Sequence, residues 1–229
     1  MRPSNRSGIF ICFIGIDGSG KSTQAKLLKD HLIENTIDAT YVYHRSRPWL
    51  LKFITIAGER TVMEGENLFY NYDQYENRKK RLFTNRIFFW LYRMGLMIDY
   101  LVQTRGKISL PLSRGQSIVC DRYYFDTIIT DFAPYARTDA YRIDLEISFW
   151  SKIFPKPDVI ILIDVDERQA YERKDDIPSE RFLKVRRTNY RTIAEQMQAR
   201  IISGDCSIEL IHAEITEILE PLIEGIKRR

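Results

Sequence analysis

The stretch Gly15-Ile-Asp-Gly-Ser-Gly-Lys21-Ser22 constrains this chain more than any other. It satisfies the spacing GxxxxGK[ST], which chains of ordinary glycine content rarely match by chance. A continuous apolar run, Ile9 to Ile14, leads into it. An amphipathic helix pattern leads out, with Ala25, Leu28 and Leu32 on one face. Strand, glycine-rich turn and helix form the setting in which this spacing cradles phosphate. The glycines let backbone N–H groups turn inward around phosphate oxygens, and the helix N-terminus adds the positive end of its dipole. The candidate nucleotide contacts are Gly15, Asp17, Gly18, Ser19, Gly20, Lys21, Ser22 and Thr23. Lys21 is expected to reach the β- and γ-phosphates, and Ser22 to hold Mg2+. The plain alternative is a glycine-rich strand-to-helix turn with an incidental lysine.

Four more short apolar runs follow, at 39–44, 116–121, 158–164 and 207–213. They are β-branched or aromatic and mostly continuous rather than alternating, as strands buried on both faces of a parallel sheet are. Helical patterns separate them, over 21–35, 84–103, 166–174 and 179–197, and the chain ends in another that contains Pro221, a residue that can kink a helix. The order predicts an α/β fold: a three-layer P-loop architecture with a five-stranded parallel sheet and helices on both faces. No linker composition interrupts the 229 residues, so one domain spanning 1–229 is expected.

Cys12, Cys120 and Cys206 form no CxxC pair, and two of them lie in predicted strands. They read as core residues of a protein from a reducing, cytoplasmic compartment. The apolar stretch 87–102 carries Arg93 and Asp99 and falls short of a membrane span, so it reads as a helix buried on more than one side. No membrane partner is expected. The net charge of +4 is matched by one segment, 168–191, with eight basic residues against four acidic ones. A local cationic patch of that kind suits a small polyanion rather than a nucleic-acid footprint; the alternative is a solvated helix face.

A phosphate loop does not name a reaction. The guanine-reading NKxD motif is absent, and the run at 116–121 ends in Asp121-Arg122-Tyr123 rather than in two acids that would position water. An acid followed by a base suits group transfer, with Asp121 near Mg2+ and Arg122 gripping a second phosphorylated substrate. A structural ion pair at a strand end would read the same way.

With these residues in place the chain resembles the thymidylate kinase family. The resemblance rests on "FIGIDGSGKSTQAKLL" (13–28), "ISLPLSRGQSIVCDRYYFD" (108–126), "PKPDVIILIDVDERQAYERK" (155–174), "FLKVRRTNY" (182–190) and "IELIHAEITEI" (208–218). It implies an enzyme that transfers the γ-phosphoryl group of Mg·ATP to a nucleoside monophosphate, dTMP first among them, in nucleotide biosynthesis. It places a lid at about 168–182, Asp17 beside the acceptor sugar or the metal, Arg122 on the acceptor phosphate and Tyr123 beside the deoxyribose. The phosphate loop carries no arginine, so the catalytic cation is expected from the lid, with Arg173, Lys174 and Arg181 as candidates. Phe89 and Arg93 fit the spacing of the family's base-stacking pair, although a core phenylalanine and a snorkelling arginine fit it equally. The loop after the second run, "HRSRPWL" (44–50), departs from the family's glycine-rich pattern; Arg45 and Arg47 there are either acceptor contacts or a solvated turn. Asp126 and Asp131 depart from the polar residues usual after Asp-Arg-Tyr. Two other functions stay open: a P-loop kinase for another small acceptor, and a catalytically silent nucleotide-binding protein. A homodimer, joined through the 87–102 helix, is a further expectation.

Overall fold

The computed structural model describes residues 8–45, 86–132, 143–174 and 177–227. Its strands are β1 (Phe10–Ile14), β2 (Ala39–Tyr43), β3 (Ser117–Asp121), β4 (Val159–Asp164) and β5 (Arg200–Ser203). They pair in parallel in the order β2-β3-β1-β4-β5. The helices are α1 (Lys21–Glu34), α2 (Arg86–Thr104), α3 (Leu110–Ser113), α4 (Tyr124–Thr127), α5 (Ile143–Trp150), α6 (Glu167–Glu172), α7 (Glu180–Met197) and α8 (Ile208–Lys227). A π-helical turn, Arg105–Ser109, joins α2 to α3.

Alternation along the strands feeds two cores. Ile11, Phe13, Val119, Ile161 and Ile163 pack with Ala25, Leu28 and Leu32 of α1 and with Ile211, Ile215, Leu219 and Ile223 of α8. Phe10, Cys12, Ile14, Cys120 and Leu162 pack on the opposite face with Leu96 and Tyr100 of α2, Trp150 of α5 and Leu183 and Tyr190 of α7. The result is the expected α/β architecture, an all-parallel sheet between helical layers. Phe13 pairs with Asp121 and Ile14 with Leu162, so β1 and β3 end within one residue of each other and β4 runs two residues further, to Asp164. Strand order reverses at β1, and the crevice beyond the ends of such strands is where this class of sheet binds ligands.

Two expectations need correction. The run 207–213 is not the fifth strand: β5 is the preceding Arg200–Ser203, and α8 begins at Ile208. The Leu210 N–H donates to Ser207 Oγ (3.4 Å), a cap for the first turn. Burial then recurs every four residues from Ile211 to Ile223, a helical period. β5 is an edge strand with only Ile202 buried, too short to stand out as an apolar run. The helix continues through Pro221, where Pro221 and Glu217 both face solvent, so water can take the carbonyl that proline leaves unbonded.

The second correction concerns α2, which buries one side, not several. Leu96, Asp99 and Tyr100 are buried, while Ile87, Trp90, Leu91, Ile98, Leu101 and Val102 are exposed. Among the described residues no helix is long and apolar enough to cross a membrane.

Candidate active site

The turn after β1 is shaped by positions that a side chain could not occupy. Gly18 has φ of +84°, and a Cβ there would lie 2.4 Å from the Ala170 carbonyl oxygen of α6. Gly15, at φ +145°, would meet the Ile163 carbonyl oxygen at 2.7 Å. The loop therefore needs glycine for its conformation and for the close approach of β4 and α6. Gly20 begins α1 without a side-chain cap. Helix N-terminal N–H groups left uncapped in this way suit an anion. Ser19 is buried with an unpartnered hydroxyl, Ser22 is half-buried and Thr23 is exposed at the mouth of the turn.

Lys21 is 4% exposed and its Nζ donates to the Ile16 carbonyl oxygen (2.8 Å). Burial, reinforced by the nearby Arg122 charge and opposed by Asp17, lowers its pKa to about 8. Asp17 accepts hydrogen bonds from Arg122 Nη2 and, at 3.5 Å, from Arg186 Nη1. Burial alone would raise its pKa, but the Arg122, Lys21 and Arg186 charges outweigh it and bring it to about 2. Asp17 is thus ionised throughout the neutral range.

β3 delivers the second half of the site. Asp121 is fully buried: its Oδ2 accepts from the Tyr41 hydroxyl (2.9 Å), and its Oδ1 has no partner. An unpartnered, buried carboxylate oxygen beside a phosphate loop fits Mg2+ or one of its water ligands, with Ser22 as the hydroxyl ligand. The glycine cradle likewise fits a triphosphate. Arg122, at φ +68°, leaves the strand in a left-handed conformation uncommon outside glycine, asparagine and aspartate. That turn swings its guanidinium back over the phosphate loop. Nη1 donates to Asp126 Oδ1 (2.6 Å), Nη2 donates to Asp17, and Nε is buried without a partner.

The remaining predicted residues divide. Tyr123 is fully buried among Phe10, Tyr100 and Tyr124, and its hydroxyl donates to the Pro155 carbonyl oxygen (3.0 Å). Phe89, on α2, packs partly buried against the core, while Arg93 bonds to Glu146 (2.9 Å) and lies over the Phe149 ring. Arg45 is half-buried just beyond β2. Arg47 lies outside the described residues. Of the lid candidates, Arg173 donates to the Gly204 carbonyl oxygen (3.2 Å) and to Gln169 (3.2 Å), and Arg181 is exposed.

Sequence reasoning missed Arg186, the α7 arginine that reaches Asp17 while stacked on Phe182 at 3.9 Å. It counted only as one of eight basic residues, because nothing local marks which of them turns inward. It also missed the partner of Asp126: Tyr190, whose hydroxyl donates to Asp126 Oδ1 at 2.5 Å. A second cluster ties α7 to β4. Arg187 donates through Nε and Nη2 to Asp164 (2.8 and 3.2 Å) and through Nη1 to Glu167 (2.7 Å) and Asp166 (3.3 Å), and Arg191 also reaches Asp164 (2.5 Å).

The chain is similar to known proteins along most of its length. The thymidylate kinase family model matches residues 93–215, just over half of the chain. The phosphate loop lies outside that match, so the two observations are separate. A probable thymidylate kinase of Pyrococcus abyssi is 26% identical over 236 residues, covering 96% of this chain and 99% of that protein. Its counterpart in Pyrococcus horikoshii is 28% identical over 238 residues, with 96% and 99% covered. The thymidylate kinase of Caldanaerobacter subterraneus is 27% identical over 234 residues, again with 96% and 99% covered.

Proposed function

The chain belongs to the thymidylate kinase family, a family of ATP-dependent nucleoside monophosphate kinases, and from that premise we propose that it transfers the γ-phosphoryl group of Mg·ATP to dTMP, giving dTDP. The observation that carries this reading is the meeting of the Arg122 guanidinium with Asp17 of the phosphate loop. An acceptor-type arginine with an unused N–H thereby stands next to a triphosphate-type cradle.

On this reading the residues divide the work as follows. The turn from Gly15 to Gly20 cradles the triphosphate, and Lys21 turns from the Ile16 carbonyl oxygen toward the β- and γ-phosphates. Ser22 and Asp121 would hold Mg2+, which when bound would neutralise charge on the phosphates. Tyr41 fixes one oxygen of Asp121 and leaves the other for the ion. Arg122 grips the acceptor phosphate and sets its oxygen in line with the γ-phosphorus. Arg181 and Arg186 on α7, with Arg173 and Lys174 just after α6, are the candidate cations for the charge that develops on transfer. Asp17 lies between the two substrates, where it can accept from the acceptor's sugar hydroxyl or contact the metal. Closure of the lid keeps water from competing with the acceptor.

ADP release by purified protein with Mg2+, ATP and a panel of monophosphates tests this reading. We expect dTMP to support the fastest release, and no release with any nucleotide would refute it. One observation favours a second reading, a kinase for another small acceptor: Arg93 is held by Glu146, away from a base-contacting role. Sugars and sugar phosphates in the same panel separate the two. We also propose that two copies pair through the exposed apolar face of α2, a reading that a monomeric sedimentation profile would overturn.

A further inference from the structure

Arg122 is held unevenly, and the unevenness has a chemical meaning. A guanidinium has two edges suited to paired oxygens: Nη1 with Nη2, and Nε with Nη2. Here Nη1 is committed to Asp126, whose carboxylate is fully buried. Asp126 Oδ1 also accepts from the Tyr190 hydroxyl at 2.5 Å, and Oδ2 accepts from the Tyr123 N–H at 3.4 Å. The carboxylate therefore holds three things together: the guanidinium, the left-handed turn that aims it, and α7. Nη2 contacts Asp17, whose side chain is 19% accessible, and Nε has no partner among the described residues. The buried side of Arg122 is anchored, and the side toward the phosphate loop keeps an unused donor.

We propose that Asp126 and Tyr190 are positioning residues for the acceptor: they hold Arg122 by Nη1 so that its Nε–Nη2 edge faces an incoming monophosphate. The acceptor phosphate then takes the Nε–H outright and shares or replaces Asp17 on Nη2. Two buried oxygens do this work at a distance from the substrate. Asp126 lies four residues along the chain from Arg122, whereas Tyr190 comes from α7. Acceptor grip is thereby tied to the seating of the helix that follows the lid.

This inference rests on the phosphotransferase reading of Arg122, and the test separates the two. Asp126→Asn keeps the volume and removes the charge; Tyr190→Phe removes one hydroxyl and is the gentler change. For each variant the KM for dTMP, the KM for ATP, kcat and the melting temperature are measured together. Asp126→Asn is expected to raise the dTMP KM about tenfold and Tyr190→Phe about threefold, with the ATP KM held within about twofold. A dTMP KM that stays within about twofold in both variants overturns the proposal. So does an equal rise in both KM values, which marks a merely structural role. If the unmodified protein turns over no monophosphate, the kinase reading fails, and the positioning role is then read from calorimetric binding of dTMP against thymidine. Loss of the phosphate-dependent part of binding in both variants supports it; binding unchanged in the variants, or absent in the unmodified protein, overturns it.

Discussion

Two arginines organise the C-terminal edge of the sheet, and they are bound in opposite ways. Every nitrogen of Arg187 is engaged: Nε, Nη1 and Nη2 all donate to carboxylates of Asp164, Asp166 and Glu167. Its side chain is 20% accessible, and those bonds hold its pKa above the ordinary arginine value. Arg122 is more deeply buried, at 6%, yet its Nε is left without a partner among the described residues. A buried donor without a partner is costly in a structural element, whereas at a binding site it is the means of recognition. Arg187 fastens α7 to β4, and in the proposed function Arg122 is the group that meets substrate.

Arg122→Ala removes the group with the open donor and should have the largest effect. It is expected to reduce kcat/KM for the monophosphate by a factor of about a hundred or more, with ATP affinity nearly unchanged. Steady-state kinetics with each substrate varied in turn checks it, and equal losses for both would erase the distinction. Arg187→Ala should do the reverse. It leaves Asp164, Asp166 and Glu167 facing one another, which costs about 1–2 kcal/mol of stability. A denaturant titration should show that loss while kcat falls only a few-fold; a collapse of kcat at unchanged stability would move Arg187 into the active site.

A smaller effect concerns Lys21, whose pKa of about 8 in the nucleotide-free protein puts its charge within experimental reach. Lys21 is charged below that value and loses its proton as pH rises through it. ATP binding should therefore weaken about tenfold between pH 7 and pH 9. Calorimetry across that range checks the slope, and Lys21→Met should flatten it. A flat profile for the unmodified protein would mean that the lysine is not the triphosphate contact.

The same contrast explains how much of the molecule the sequence disclosed. The phosphate loop was legible because its geometry is demanded locally: Gly15 and Gly18 sit where φ and neighbouring carbonyl oxygens exclude a side chain. Asp121 and Arg122 were legible because a strand end followed by an acid and a base is also local. Arg186 and Tyr190 were not, since their contacts with Asp17 and Asp126 span 169 and 64 positions and depend on how α7 settles on the sheet. Periodicity on α7 separates inward from outward residues but cannot say which inward residue meets a charge. β5 was misplaced for a related reason. One buried residue in four gives no pattern, whereas the capped, four-residue rhythm of α8 begins on an apolar run that also suits a strand.

In the proposed reaction a phosphoryl group passes from ATP in the Lys21 loop to an acceptor held by Arg122. That transfer is tested most directly by incubating the protein with ATP labelled on the γ-phosphorus, Mg2+ and dTMP, then separating the products. Label is expected in dTDP, dependent on both Lys21 and Arg122. Label found only in inorganic phosphate, or retained in ATP, would contradict it.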